Sequence, residues 1–201
     1  MLKLLIATHN QGKVREYAHI LGGLPLRLLS LAEAGVREIV EESGQTYAEN
    51  AAHKAKAYAR ASGLLTLADD SGLEVDALGG EPGVRAARYA GEDVSDEERV
   101  RYLLSRLEGV PWERRTARFV CVIALATPEC SLRLFDGACE GLIALTPCGD
   151  RGFGYDPVFY LPSLDKHMAE LSLEDKTRAS HRGAAGAKAR VALERMLKER
   201  A

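Results

Sequence analysis

A chain of 201 residues with a formal net charge of −2 is long enough to bury a sizeable core as one domain. It lacks the global basic field that would hold a nucleic-acid polymer. Hydrophobic residues make up 46% and charged residues 28%, the balance of a soluble globular protein. No apolar run reaches the length of a membrane span and "MLKLLIATHN" turns polar too early for a signal peptide, so the expectation is a cytoplasmic protein away from membranes.

The elements alternate along the chain. "LKLLIA" (2–7) predicts a buried strand, and "GKVREYAHIL" (12–21) a helix with Val14, Tyr17, Ala18 and Leu21 on one face. "LPLRLLSL" (24–31) reads as a second strand, followed by the acidic loop "REIVEESGQ". Thr46 and Glu49 form a capping box for a helix that Gly63 ends. "LLTLAD" (64–69) predicts another buried strand. The glycine- and proline-bearing segment after it reads mostly as loop, with room for two short extended pieces.

Ser95 and Glu98 form a second capping box, for a helix through Leu107. Residues 116–127 and 131–145 read as antiparallel strands around the turn "PEC", and "CGDRGFGYDPVFYLP" as a glycine-rich loop entering a short strand. From about Glu170 the chain reads as helical, with a break expected at Ser180–Gly183. Alternating elements followed by a hairpin imply a mixed sheet, so the fold class is α/β. The four cysteines (121, 130, 139 and 148) recur every nine residues and lack the close pairing of zinc ligands, so they read as ordinary reduced thiols.

Four stretches carry candidate chemistry. In "ATHNQGK", small polar residues and Gly12-Lys13 open a helix, which directs unpaired N–H groups and an ammonium toward an anion. It is not a P-loop: Val14 stands where that motif needs a hydroxyl, and an N-cap beside a solvated lysine is the plain alternative. Asp69-Asp70-Ser71-Gly72 at a strand end, with Glu41-Glu42 in a loop, suits a hard cation or a water-polarising carboxylate; an Asx turn is the alternative. "GFGYDPVF" holds Phe153 between glycines, where an aromatic could stack on a base, or could equally fill the core beside a tight turn. "EDKTRASHRGAAG" gathers Lys176, Arg178, His181 and Arg182, as phosphate and base-carbonyl donors or as a solvated helix face. No G-x-S-x-G elbow and no partnered cysteine nucleophile is present.

Taken together, "ATHNQGKVREY", "EESGQTYAENAAHKA", "ADDSGLEVDALGGEPGVRAARYAG", "GFGYDPVF" and "SHRGAA" resemble, in order and spacing, the inosine triphosphate pyrophosphatase family. The resemblance covers nearly the whole chain as a single domain, 1–201. It implies an elongated central mixed β-sheet flanked by helices in two lobes, an active cleft between them and a homodimer. It also implies Mg²⁺-dependent hydrolysis of ITP, dITP or XTP to the monophosphate and pyrophosphate, cleansing the nucleotide pool.

By that resemblance Thr8, His9, Asn10, Gln11, Gly12 and Lys13 form the phosphate corner, with Lys54 a further phosphate contact. Glu41 and Asp70 hold the metal, with Asp69 and Glu42 as alternatives, and Asp70 is the general base. Ser71, Phe153, Gly154, Tyr155, Asp156, Lys176, His181 and Arg182 contact the substrate. His9 departs mildly from the family, which often has a small residue there. A Maf-type pyrophosphatase acting on other nucleotides, and a catalytically silent nucleotide sensor, are the competing readings.

Overall fold

In the computed structural model, which describes residues 1–199, eight strands and five α-helices form a mixed α/β fold with helices flanking a central sheet. The strands are β1 (Leu2–Ile6), β2 (Leu26–Ser30), β3 (Leu65–Val75), β4 (Pro82–Gly83), β5 (Thr116–Ala126), β6 (Leu132–Ile143), β7 (Phe159–Leu161) and β8 (Lys166–His167). The helices are α1 (Gln11–Ile20), α2 (Tyr47–Ser62), α3 (Asp96–Arg106), α4 (Leu173–Ala179) and α5 (His181–Lys198). Sheet order is β2-β1-β3-β5-β6-β7-β8, with β4 on β3. The sheet is mixed, as expected: β1 runs parallel to β2 and β3, whereas β3–β4, β6–β7 and β7–β8 are antiparallel. The five-residue connection between β5 and β6 leaves antiparallel pairing as the only option for these neighbours.

The chain divides into two compact units whose boundaries cut β3, β5 and β6: residues 1–70, 121–137 and 181 onward, and residues 71–120 with 138–180. In the first unit strand parity decides what packs where. Leu4 and Ile6 of β1, Leu65 and Leu67 of β3, and Ile123 and Leu125 of β5 share a core with Tyr17 and Ile20 of α1 and Ala185, Ala189 and Leu193 of α5. The alternate residues Leu5, Ala7, Ala68, Ala124 and Ala126 meet Ala51, Ala55, Tyr58 and Ala59 of α2. Covered on both faces, these strands must be apolar almost throughout, as "LKLLIA" and "LLTLA" are. The alanines at i, i+4 and i+8 of α2 give it a small-residue stripe against the sheet.

The second unit is built on Leu73 and Val75 of β3, Val100 and Leu103 of α3, Phe119 of β5, Ile143 of β6, and Tyr155, Phe159 and Met168. Here the buried Arg115 caps carbonyls at the end of α3, donating to Leu107 O at 2.8 Å and Val110 O at 3.0 Å.

Both capping boxes form as expected, and Gly63 ends α2 in the left-handed conformation at φ 66°. The break before α5 narrows to Ser180, and Gly183 is helical. Two expectations change. The strand from residue 64 does not stop at Asp69: β3 continues to Val75, because Leu73 and Val75 are fully buried and Leu73 and Glu74 pair with Gly83 and Pro82. The Asx turn is thereby excluded. On α1, Ala18 is exposed while Glu16 is buried, since Glu16 has an arginine to meet.

Candidate active site

The strand that carries Asp69 and Asp70 sends successive side chains to opposite faces. Asp69 has the parity of Leu65 and Leu67 and therefore faces α1 and α5. Its Oδ2 lies 2.9 Å from Lys13 Nζ and 3.2 Å from Arg182 Nη2, and Arg182 Nη1 meets Glu16 Oε2 at 2.7 Å. Asp69, Arg182 and Glu16 are all buried, so these are ion pairs shielded from water. Burial alone would raise the Asp69 carboxyl, but Lys13, Arg182 and Lys54 outweigh it and hold it well below the usual carboxylate range.

Asp70 has the parity of Ala68 and faces α2, where Asn50 Nδ2 donates to its Oδ2 at 2.9 Å. Its carboxyl is raised above the ordinary value, first by burial and then by the like charge of Glu42, with Lys54 and Asn50 opposing. Two adjacent aspartates are thus pushed in opposite directions, the pattern that separates a permanently ionised group from a proton acceptor. Lys54, one turn after Asn50 on α2, donates to Asp69 O at 2.6 Å and to the Glu42 carboxylate. Burial lowers its ammonium, but Asp69, Glu42 and Asp70 more than offset that and raise it.

The corner before α1 follows its sequence. Asn10 is the N-cap, its side chain accepting from Lys13 N at 3.1 Å, and Thr8 Oγ1 accepts from Asn10 N at 3.1 Å. That leaves the first-turn N–H groups of Gln11 and Gly12 without an intrahelical acceptor and facing the helix's positive end. His9 and Gln11 are exposed, and Gly12 is buried.

In the second unit, Asp156 Oδ2 accepts from Phe153 N at 2.9 Å and from Lys176 Nζ at 2.5 Å. The Lys176 ammonium also lies 4.6 Å from the centroid of the Phe153 ring, a cation–π distance. Gly152 and Gly154 adopt φ of 78° and 63°, and a Cβ on Gly152 would collide with the Asp156 carboxylate. Gly154 N donates to Asp96 Oδ2 at 2.6 Å. Tyr155 lies in the core of this unit, its hydroxyl donating to Ala86 O at 2.9 Å.

Lys13, Lys54, Asp69, Asp70 and Arg182 are therefore brought together, as are Phe153, Asp156 and Lys176. Within the Glu41–Glu42 pair, Glu42 meets Lys54 and acts on Asp70, whereas Glu41 is exposed. Arg182 donates to two carboxylates, Asp69 and Glu16. Lys176, His181 and Arg182 are buried, which excludes the solvated-face reading for them, while Arg178 alone of that run is exposed and pairs with Glu174 on its own helix. Sequence reasoning missed Asn50, Glu16 and Asp96. The first two were legible as helix neighbours of Lys54 and Lys13, at i, i+4 and i, i+3.

The donor set suits a hard divalent cation. Asp69 Oδ1 is a buried carboxylate oxygen with no hydrogen-bond partner among the described residues, and Asp70 and Glu42 are mutually repelling carboxylates. Oxygen donors of this kind are the ones a hard divalent cation takes, with room left for phosphate oxygens.

A mixed α/β fold carries buried carboxylates, the donors a cation takes, beside lysines and a helix N-terminus, the donors an anion takes. The chain belongs to the Ham1 family, whose model matches residues 4–192. It is 52% identical over 185 residues to a dITP/XTP pyrophosphatase of Geobacter sulfurreducens, covering 92% of this chain and 93% of that one. It is 49% identical over 182 residues to the dITP/XTP pyrophosphatase of Halalkalibacterium halodurans, covering 90% and 94%. The structure of a HAM1 protein from Coxiella burnetii superposes with a TM-score of 0.87 at 41% identity, covering 97% of this chain and all of that one.

Proposed function

We propose that this chain hydrolyses non-standard purine nucleoside triphosphates, dITP, ITP and XTP, at the α–β linkage to give the monophosphate and pyrophosphate. The observation that carries the reading is the opposed pair on β3: Asp69 kept ionised by three cations, and Asp70 raised by burial and Glu42. Relatives about half identical over nearly the whole chain, all named dITP/XTP pyrophosphatase, support the substrate class.

Lys13 and Lys54, with the N–H groups opening α1, bind and orient the triphosphate by neutralising its charge. Asp69 holds Lys13 in place for that task, and Arg182 holds Asp69. Asp70, oriented by Asn50, accepts the proton of the water that attacks the α-phosphorus. Mg²⁺ is the cofactor in this reading, held by Asp70 and Glu42 with Asp69 Oδ1 and Glu41 as further oxygen donors, and when bound it supplies neutralising charge to the phosphate oxygens. Lys176 is assigned to phosphate, and Phe153 and His181 to the base.

No helix among the described residues is long and apolar enough to cross a membrane. A cytoplasmic homodimer without nucleic-acid or membrane partners completes the reading, and sedimentation at assay concentration tests the assembly.

The deciding experiment is a magnesium-titrated assay of ITP, dITP, XTP, GTP and ATP with chromatographic identification of products. Inosine or xanthosine monophosphate with pyrophosphate is expected, with kcat/KM at least about 100-fold above that for ATP, whose 6-amino group leaves site donors unpaired. Diphosphate and orthophosphate as products, or equal kcat/KM for ATP and ITP, would overturn it.

A further inference from the structure

Cys148, His167 and Glu170 place one ligand atom each within 4.8 Å of one another, on the second unit and outside the residues assigned above. These residue types lie 19 and 3 positions apart in sequence, so the nine-residue cysteine recurrence gives no hint of them. Two backbone features hold the three together. Pro157 O accepts from Cys148 N at 2.9 Å and also lies 2.7 Å from His167 Nδ1. A carbonyl oxygen only accepts, so Nδ1 carries the proton and Nε2 keeps its lone pair for an ion, the tautomer-fixing contact usual behind a ligating histidine. The Glu170 carboxylate is drawn back to the same turn by His167 N, which donates to Oε2 at 2.7 Å.

The loop bearing Cys148 is pinned against that turn. Gly149 has φ 87°, a Cβ there would stand 2.6 Å from the Ala169 backbone, and Arg151 N donates to Ala169 O at 3.1 Å. Only glycine permits so close an approach.

We infer that Cys148, His167 and Glu170 form a binding site for a borderline-soft divalent ion, zinc foremost, with a fourth position left to solvent. Thiolate, imidazole and carboxylate are zinc's ordinary donors, and bonds of about 2.0–2.3 Å set tetrahedral donor separations of about 3.5 Å. The three ligand atoms already lie within 4.8 Å of one another, and Cys148 is exposed, so its side chain has room to turn toward the other two. Mg²⁺ does not compete, because it disfavours thiolate and imidazole. A bound ion would tie the start of the loop that carries Phe153 and Asp156 to the turn at 167–170.

Cobalt(II) titration of the intact, metal-stripped protein in saturating Mg²⁺ tests the site, because only a thiolate ligand gives the near-ultraviolet sulfur-to-cobalt charge-transfer band. The band is expected with one equivalent of cobalt, discharged by zinc, lost in Cys148→Ser and kept in Cys130→Ser. In His167→Ala and Glu170→Gln, zinc affinity measured by calorimetry falls by more than about 10-fold. Absence of the band in the wild-type protein, or its survival in Cys148→Ser, overturns the site.

Discussion

Asn50 Nδ2 donates to Asp70 Oδ2 across 2.9 Å, while Asn50 Oδ1 accepts from Gly44 N at 2.7 Å. One buried amide thus ties the acidic loop that carries Glu42 to the carboxylate proposed as the base. Asp70→Asn should lower kcat for ITP by about 100-fold or more, with KM nearly unchanged, as for loss of a general base. Turnover near wild type would remove Asp70 from that role.

Asn50→Asp tests the positioning separately. It keeps the acceptor for Gly44 N but sets a like charge against Asp70, which adds to the rise already caused by burial and Glu42. The base is active when ionised, so the acid limb of kcat/KM should move to higher pH while the plateau at alkaline pH is largely kept. A uniformly reduced profile with an unmoved limb would mean that Asn50 acts only through packing.

Asp69 governs acid stability. Its folded carboxyl is depressed below the 3.8 of an ordinary aspartate, burial notwithstanding, by Lys13, Arg182 and Lys54. A depressed acid contributes stability that is fully present above the unfolded value and is lost as pH falls through the folded one. The wild-type midpoint should therefore drop steeply below about pH 4, and Asp69→Asn should flatten that drop. At neutral pH the same variant takes the carboxylate from Lys13 and removes one of the two that balance Arg182, and should cost about 3–5 kcal/mol. Chemical denaturation at pH 7 and pH 3 measures both effects.

Local signals in the sequence survived folding and non-local ones did not. Thr46–Glu49 and Ser95–Glu98 were legible because a capping box is complete within four residues. The run of β3 through Asp69-Asp70-Ser71-Gly72 was not, because turn propensity in those residues is overridden by pairing with Gly83 and Pro82 and by burial of Leu73 and Val75. That extension is what separates the two aspartates onto opposite faces, and with it Glu16 and Asn50 acquire their meaning. A buried glutamate on α1 makes sense only once α5 brings Arg182 beside it. The lysines and aspartates of the site were legible as residues; their division of labour was not.

Lys54 should affect substrate binding more than folding. Its ammonium meets Asp69 O and Glu42, groups that a bound triphosphate and cation would engage in its place. Lys54→Met loses a charge-assisted contact worth about 1.5–3 kcal/mol, so kcat/KM for ITP should fall by about 10- to 100-fold, chiefly through KM. Equal losses in kcat with KM unmoved would instead place Lys54 on the reacting groups in the transition state.

Lys176→Met separates stability from recognition in the second unit. Removing the ammonium takes the Lys176 cation away from the buried Asp156 carboxylate and releases the Phe153 ring it lies against. About 3–5 kcal/mol of stability should be lost, with a raised KM for ITP. Lys176→Met/Asp156→Asn should recover much of the stability but not KM, a split visible in paired denaturation and steady-state measurements.

Gly137 of β6 sets the start of α5. A Cβ there would collide with His181 O and stand 2.5 Å from Ala185 N, both of them backbone atoms that cannot rotate away. Gly137→Ala must therefore push the first turn of α5 off the sheet, carrying Arg182 with it from Asp69 and Glu16. Overpacking of this kind costs about 1–3 kcal/mol. Because Arg182 orients Asp69 and Asp69 orients Lys13, activity should fall further than the stability loss alone explains at a temperature where the variant is still folded. The check is kcat/KM for ITP well below the melting transition, compared with Ala187→Gly at an exposed position of the same helix, which should leave it unchanged.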